Sequence, residues 1–268
     1  MGAHSHMKKT LLSAGVISTV ALAGCGANTD TASSSSSPSQ EGGTVEVFAA
    51  SSLNSAGAEL EKAYEKEHPG VDVSFNFAGS SKLVQQMQQG ATPDVLITAD
   101  QQTMDGARTS VEDLKESEPK VIATNRLVLA TSAGNPGKIS AVKDLASESV
   151  TTAICAAEVP CGNLAHQELD NQHVELGNAT EEKNVSDVST KVASGAVDAG
   201  FIYSTDAAYL KKDQDITVIN LPGLENNVYP MALTNLGKQN SLASDFATWL
   251  SGDEAQKIMS QYDFGSAK

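Results

Sequence analysis

The sequence predicts an α/β fold with mostly parallel sheets. Two observations lead there. Strand-like and helix-like patterns alternate from about residue 44 to residue 262. Ser52, Ser80, Cys161 and Tyr203, from four separate segments, each stand at or near the carboxyl end of a strand pattern. Open α/β sheets gather their ligands at such ends. No internal repeat at a short fixed period competes with this reading.

The elements follow in order. Val45 and Val47 alternate with Thr44 and Glu46, and Phe48 extends the apolar run toward Ser51 and Ser52. Leu53, Ala56, Leu60 and Ala63 then recur every three or four residues, which gives a helix one apolar face. The same order of strand, serine and helix returns at 71–77, Ser80, and Leu83, Val84 and Met87. Pro93 introduces a buried-type strand over 94–100. Another covers 126–131, ahead of the turn Gly134-Asn135-Pro136-Gly137. A short strand at 151–155 leads into a Pro160-Cys161 turn and a helix over 163–171. Val185, Val188 and Val192 sit at helical spacing before Gly195, a helix stop. Tyr203 ends a strand over 197–203. Strands at 216–221 and 228–233 and helices at 242–250 and 253–262 complete the pattern.

Ahead of these elements, residues 1–6 read as a tag remnant, and Met7 restarts an export signal. Lys8 and Lys9 precede an apolar run over 11–23 that is too short to span a bilayer comfortably. Leu22-Ala23-Gly24-Cys25 resembles the bacterial lipobox, so Cys25 is expected to carry lipid and residues 1–24 to be removed. Residues 25–43, with five serines at 33–37 and Pro38, have almost no apolar content and are expected to form a disordered tether.

From Cys25 onward the chain carries 16 basic and 33 acidic residues, a formal charge of −17. That excludes a nucleic-acid-binding role, which depends on a basic surface. About 220 ordered residues suffice for one large domain or two lobes. Cys155 and Cys161, an even pair in an exported chain, are expected to form a disulfide worth roughly 2 kcal/mol. Its further use would be to stiffen the turn from Glu158 to Gly162. With His166 alone added, the pair offers too few ligands for a metal.

A serine at a strand-to-helix junction points its hydroxyl and the first free backbone N–H groups into one space, which suits a small anion. Ser52 and Ser80 are the candidates, with Ser51 and Ser81 their neighbours in competition. Distant acidic side chains are screened over roughly 8–10 Å, so local N–H dipoles decide whether an anion is held. Asp100 and Asp206 read as helix caps rather than catalytic groups. His68, His166 and His173 read as exposed.

At this point the chain resembles the molybdate-binding proteins of bacterial ABC importers, the ModA family, over nearly all of 44–264. The residues that carry the resemblance are Phe48-Ala49-Ala50-Ser51-Ser52-Leu53, Phe77-Ala78-Gly79-Ser80-Ser81 and Pro93-Asp94-Val95-Leu96-Ile97-Thr98-Ala99-Asp100. Val159-Pro160-Cys161-Gly162 and the run from Gly195 through Tyr203 to Ala207 continue it. The resemblance implies a two-lobed, type II periplasmic-binding-protein-like fold with the ligand in the interlobe cleft. Lobe I would comprise 44–124 and 235–268, and lobe II 125–234. It also implies oxyanion contacts from the hydroxyls of Ser52, Ser80 and Tyr203 and from the amides of Cys161 and Val188. The family more often has alanine at the position of Cys161, but only the amide is used there.

The implied protein is a lipid-anchored extracytoplasmic monomer, not an enzyme and without a cofactor. It would bind molybdate or tungstate and deliver it to an ABC permease, with no direct protein ligand to molybdenum. Donors alone best hold a tetrahedral dianion. Such a site suits fully ionised molybdate, tungstate or sulfate better than phosphate, which often carries a proton near neutral pH. A secreted hydrolase using Ser52 or Ser80 as nucleophile lacks a Gly-x-Ser-x-Gly elbow and a well-placed histidine. A structural surface lipoprotein would have no need of serines at several helix starts.

Overall fold

The computed structural model describes residues 42–267. The expected lipidation at Cys25, the signal segment and nearly all of the tether lie outside these residues. The chain opens with β1 (Gly43–Ala50), a 3-10 turn at Ser51–Leu53, and α1 (Asn54–Glu67). Next come β2 (Val71–Ala78), α2 (Ser80–Gln88), β3 (Val95–Ile97), α3 (Gln101–Ser110) and β4 (Lys120–Asn125). Past Arg126 follow β5 (Leu127–Thr131), β6 (Thr151–Cys155), α4 (Pro160–Gln172) and β7 (Asn178–Glu182). They lead to α5 (Val185–Ser194), β8 (Ala199–Tyr203), α6 (Ser204–Leu210) and β9 (Val218–Asn220). The chain then returns through β10 (Asn227–Leu233), α7 (Asn235–Gln239), α8 (Ser241–Leu250) and α9 (Asp253–Gln261).

These strands build two five-stranded sheets, β2-β1-β3-β10-β4 and β7-β6-β8-β5-β9. Each is parallel but for one strand. β10 runs antiparallel to β3 and β4, and β5 runs antiparallel to β8 and β9. Both sheets therefore have the same order, and in both the odd strand comes from a crossing between lobes. β10 corrects the expected lobe boundary. The segment 227–233 was expected in lobe II, yet it lies between β3 and β4 of the first sheet. Its apolar pattern marked a strand but carried no information about which sheet would hydrogen-bond it. Pro230 lacks an N–H, and the ladder with β4 shifts register between Tyr229 and Pro230.

Burial explains the local choices. All five positions of β5 and of β8 are buried, as central strands covered on both faces require. Edge strand β7, Asn-Ala-Thr-Glu-Glu, is mostly exposed, and its two carboxylates discourage pairing with another chain. In the first lobe α1, α8 and α9 cover one face of the sheet around Tyr64 and Phe246, while α2 and α3 cover the other around Leu83 and Met104. A separate core fills the second lobe. Cys155 and Cys161 are joined, with their Cα atoms 5.8 Å apart. Among the histidines of the described residues only His173 is fully exposed; His68 stacks on Tyr64 at 4.1 Å, and His166 is partly buried.

Candidate oxyanion site

Between the lobes lies a cavity of about 10 Å3, on the scale of one small species rather than an extended organic molecule. Ala50, Ser51 and Ser52 reach it from the end of β1, Gly79 and Ser80 from the end of β2, and Ala99 from the end of β3. Val159, Pro160 and Cys161 reach it from β6, Asn184 and Val185 from β7, and Tyr203 from β8. The first three strand ends of one sheet thus face their counterparts in the other. No Lys, Arg, Asp or Glu lines the space among the described residues.

Four of the five expected residues meet there: Ser52, Ser80, Cys161 and Tyr203. Ser80 is the first residue of α2, and its Oγ accepts the Ala99 N–H at 3.0 Å, which leaves its own proton to donate. Ser52 is 2 % exposed, and its Oγ lies 2.8 Å from the Tyr229 hydroxyl. Of the neighbouring serines, Ser51 lines the cavity and Ser81 does not. Ser81 donates across the lobes to the Glu158 carbonyl at 2.7 Å, and the Ser51 carbonyl accepts from the Ser186 hydroxyl at 3.3 Å.

Cys161 is the second residue of α4, behind Pro160, so its N–H has no partner within the helix. The disulfide ties this turn to the end of β6. Gly162 tightens it further, because a Cβ there would stand 1.9 Å from the Ala156 carbonyl oxygen.

Val188 does not line the cavity, which corrects the expectation. It is the fourth residue of α5, where the N–H reaches the first intrahelical carbonyl, and its side chain is fully buried in the second lobe's core. Val185, the first residue of the same helix, lines the cavity instead. The cap Asn184 takes the Asp187 N–H at 3.0 Å, so the N–H groups of Val185 and Ser186 are left free of the helix ladder.

Tyr203 is 1 % exposed, and its hydroxyl has no hydrogen-bond partner among the described residues. Burial, with smaller contributions from Tyr229, Asp100 and Asp206, raises its pKa well above the ordinary phenol value, so it remains a proton donor. Below it, Asp206 accepts the Tyr203 N–H at 3.1 Å, and burial pushes its carboxyl up to about 7 against that hydrogen bond. It sits inside the first turn of α6 rather than at the cap; Asp100 is a true cap, accepting the Thr103 N–H at 2.7 Å. The N-termini of α2, α4 and α5 open toward the cavity, and each adds a favourable field for negative charge.

Two residues escaped the sequence reading. Tyr229 of β10 and Asn125 of β4 are buried directly behind Ser52, joined at 3.2 Å. Tyr229 looks in sequence like a core aromatic in an apolar strand, and nothing in that pattern marks its hydroxyl. Among the described residues, no group of three or more His, Cys, Asp or Glu side chains could hold a metal cation.

Residues 45–265 match the model of a family described as bacterial extracellular solute-binding protein. The chain is 36 % identical over 258 residues to the molybdate-binding protein ModA of Mycobacterium tuberculosis, an alignment covering 94 % of this chain and 97 % of that one. Its fold is similar to that of the periplasmic molybdate-binding protein of Azotobacter vinelandii. There the TM-score is 0.69 at 22 % identity, over 82 % of this chain and 98 % of the other. It is also similar to the sulfate-binding protein SubI of Mycobacterium tuberculosis, with a TM-score of 0.69 at 13 % identity over 82 % and 86 % of the two chains.

Proposed function

Since the chain belongs to the bacterial extracellular solute-binding proteins, we propose that it captures molybdate in the cleft between its lobes and presents it to the permease of an ABC importer. The observation that carries this reading is the Tyr203 hydroxyl, buried and without a partner in a cavity lined by donors. A buried polar group left unsatisfied costs about 1–3 kcal/mol, and an oxyanion at that point would remove the cost.

The donor set we propose is the hydroxyls of Ser52, Ser80 and Tyr203 with the amides of Cys161 and Val185. Each would make a charge-assisted hydrogen bond of roughly 1.5–3 kcal/mol to the ion. The acidic surface does not prevent this, because no carboxylate lines the cavity among the described residues. For the same reason a proton-bearing phosphate would find no acceptor there. Tungstate, with the same charge and shape as molybdate, should bind as well. Donors lie on both lobes, so bound ion favours the closed arrangement, and that shape is what a permease would recognise. We further propose that lipid on Cys25 keeps the protein on the extracytoplasmic face of the cell membrane, within reach of the permease.

A fold shared with a sulfate-binding protein leaves sulfate as the rival ligand. Calorimetric titration with molybdate, tungstate, sulfate and phosphate separates them. Tight binding of the first two alone is expected, and sulfate binding as tight as molybdate would overturn the assignment. For the anchor, Cys25→Ala should release the protein from membranes into the medium.

A further inference from the structure

Hydrogen-bond directions around Ser52 can be fixed one atom at a time. The Asn125 Oδ1 accepts the Arg126 backbone N–H at 2.9 Å and the Ser204 hydroxyl at 3.0 Å. A backbone N–H can only donate, so this oxygen is identified and the amide nitrogen must face the other way. That nitrogen donates to the Thr205 Oγ1 at 3.0 Å and to the Tyr229 hydroxyl oxygen at 3.2 Å. Tyr229 therefore accepts from Asn125 and has one proton to give. The Asn227 amide also borders this hydroxyl, its nitrogen donating to the Ala99 carbonyl at 3.0 Å and stabilising the phenol oxygen as a donor would. The Ser52 Oγ, 2.8 Å away, takes the Tyr229 proton. Burial raises the Tyr229 pKa to about 12, so that proton is present throughout the physiological range. Its ring is fully buried and packs edge-on against Phe264 at 5.4 Å, which fixes where the hydroxyl points.

We infer that Asn125 and Tyr229 form a donor relay that occupies the Ser52 oxygen from behind and so commits the Ser52 proton to the cleft. Tyr229 is then a positioning residue, acting on the ligand only through Ser52. A serine hydroxyl can otherwise turn its proton to any nearby acceptor, and an oxyanion would have to reorient it on arrival. The parallel at Ser80 is close: there the Ala99 N–H occupies the oxygen and frees the proton in the same sense. In the first lobe both hydroxyls are set as donors before any ion enters. The relay also reaches the other lobe, since Ser204 and Thr205 of α6 hold Asn125 in its orientation.

This inference rests on the oxyanion reading, and a double-mutant cycle keeps the two apart. Molybdate affinity is measured by calorimetry for the full chain and for Tyr229→Phe, Ser52→Ala and the double variant, with a thermal melt of each ligand-free protein. Tyr229→Phe is expected to weaken binding about tenfold, the scale of one neutral hydrogen bond. In the Ser52→Ala background the same change should cost less than about twofold, because the residue it acts through is gone. Losses that multiply, or a Tyr229→Phe affinity equal to that of the parent, overturn the relay. No binding of molybdate by the parent protein overturns the ligand assignment and the relay's role with it. Neutron diffraction from the parent protein supplies a reading independent of folding in the variants. A deuteron bonded to Tyr229 on the line to Ser52 is expected, and one bonded to Ser52 on that line overturns the proposal.

Discussion

The two lobes share a strand order but furnish the cleft differently. In the first, the Oγ atoms of Ser52 and Ser80 already have protein partners, Tyr229 and the Ala99 N–H. In the second, Cys161 and Val185 offer N–H groups at helix starts, and Tyr203 offers a hydroxyl with no partner among the described residues. In the first half of the site the hydroxyl oxygens are therefore occupied and only their protons wait for an ion, while in the second half the Tyr203 hydroxyl has no partner at all among the described residues. This contrast teaches where ligand-dependent stabilisation should concentrate: at Tyr203 and the seam that brings it to the serines.

The largest effect should come from Tyr203→Phe. Binding of molybdate is expected to weaken by about 1.5–3 kcal/mol, tenfold to somewhat over a hundredfold, while the ligand-free melting temperature holds or rises because a buried unsatisfied group has gone. Unchanged affinity in calorimetry would remove Tyr203 from the site and erase the contrast between lobes.

Next comes the seam itself. Gly79 has an ordinary φ of −58°, so its need for hydrogen in place of a side chain is steric. A Cβ there would stand 2.6 Å from the Lys183 carbonyl oxygen and 3.3 Å from the Asn184 Cβ, both in the other lobe. Gly79→Ala should wedge the lobes apart at a cost of about 1–3 kcal/mol in affinity. Small-angle scattering should record a larger radius of gyration in the presence of molybdate than the parent has. A parent-like radius together with parent-like affinity would mean the contact does not limit closure.

A smaller effect is expected from the second lobe's staple. Cys155→Ser should lower stability by roughly 2 kcal/mol on the loop-closure argument and weaken molybdate binding more than it would if the turn at Cys161 were merely structural. Equal affinity, measured where both proteins are fully folded, would separate the bridge from the site.

The smallest effect on molybdate affinity is expected at Asp206, which does not line the cavity and whose carboxyl is raised from 3.8 to about 7. Between those values the folded state holds a proton that the unfolded state has lost, so this group's contribution to stability falls as pH rises from about 4 to about 7 and is level above. Asp206→Asn keeps an acceptor for the Tyr203 N–H and should flatten that part of the stability profile in denaturant melts. A parent-like slope would count against the shift.

How much of this was legible in the sequence depends on the kind of group. Side-chain periodicity marked the strands and the helix faces, and Val188 was legible as a core valine. The amide that lines the cavity was not, because a backbone N–H leaves no trace in the identity of its side chain. A local signal did exist: Asn184 three residues before Asp187 is a cap spacing, and it places the free amides at Val185 and Ser186. The cysteine pair was readable because only two cysteines follow Cys25. Tyr229 was not, since its role depends on Asn125, more than a hundred residues away in the chain. The membership of β10 was hidden for a related reason, as hydrogen-bond partners in a sheet are a property of the assembled lobe.

The lobes are joined by two strands of chain, one at Arg126 between β4 and β5 and the other over residues 221–226 between β9 and β10. On the first sheet these crossings start side by side, with Asn125 and Asn227 in register. A door hung on two adjacent pins can swing but can neither slide nor twist. Each shutting therefore brings the same atoms opposite one another, and a transporter waiting outside meets a single silhouette whenever the cargo is aboard.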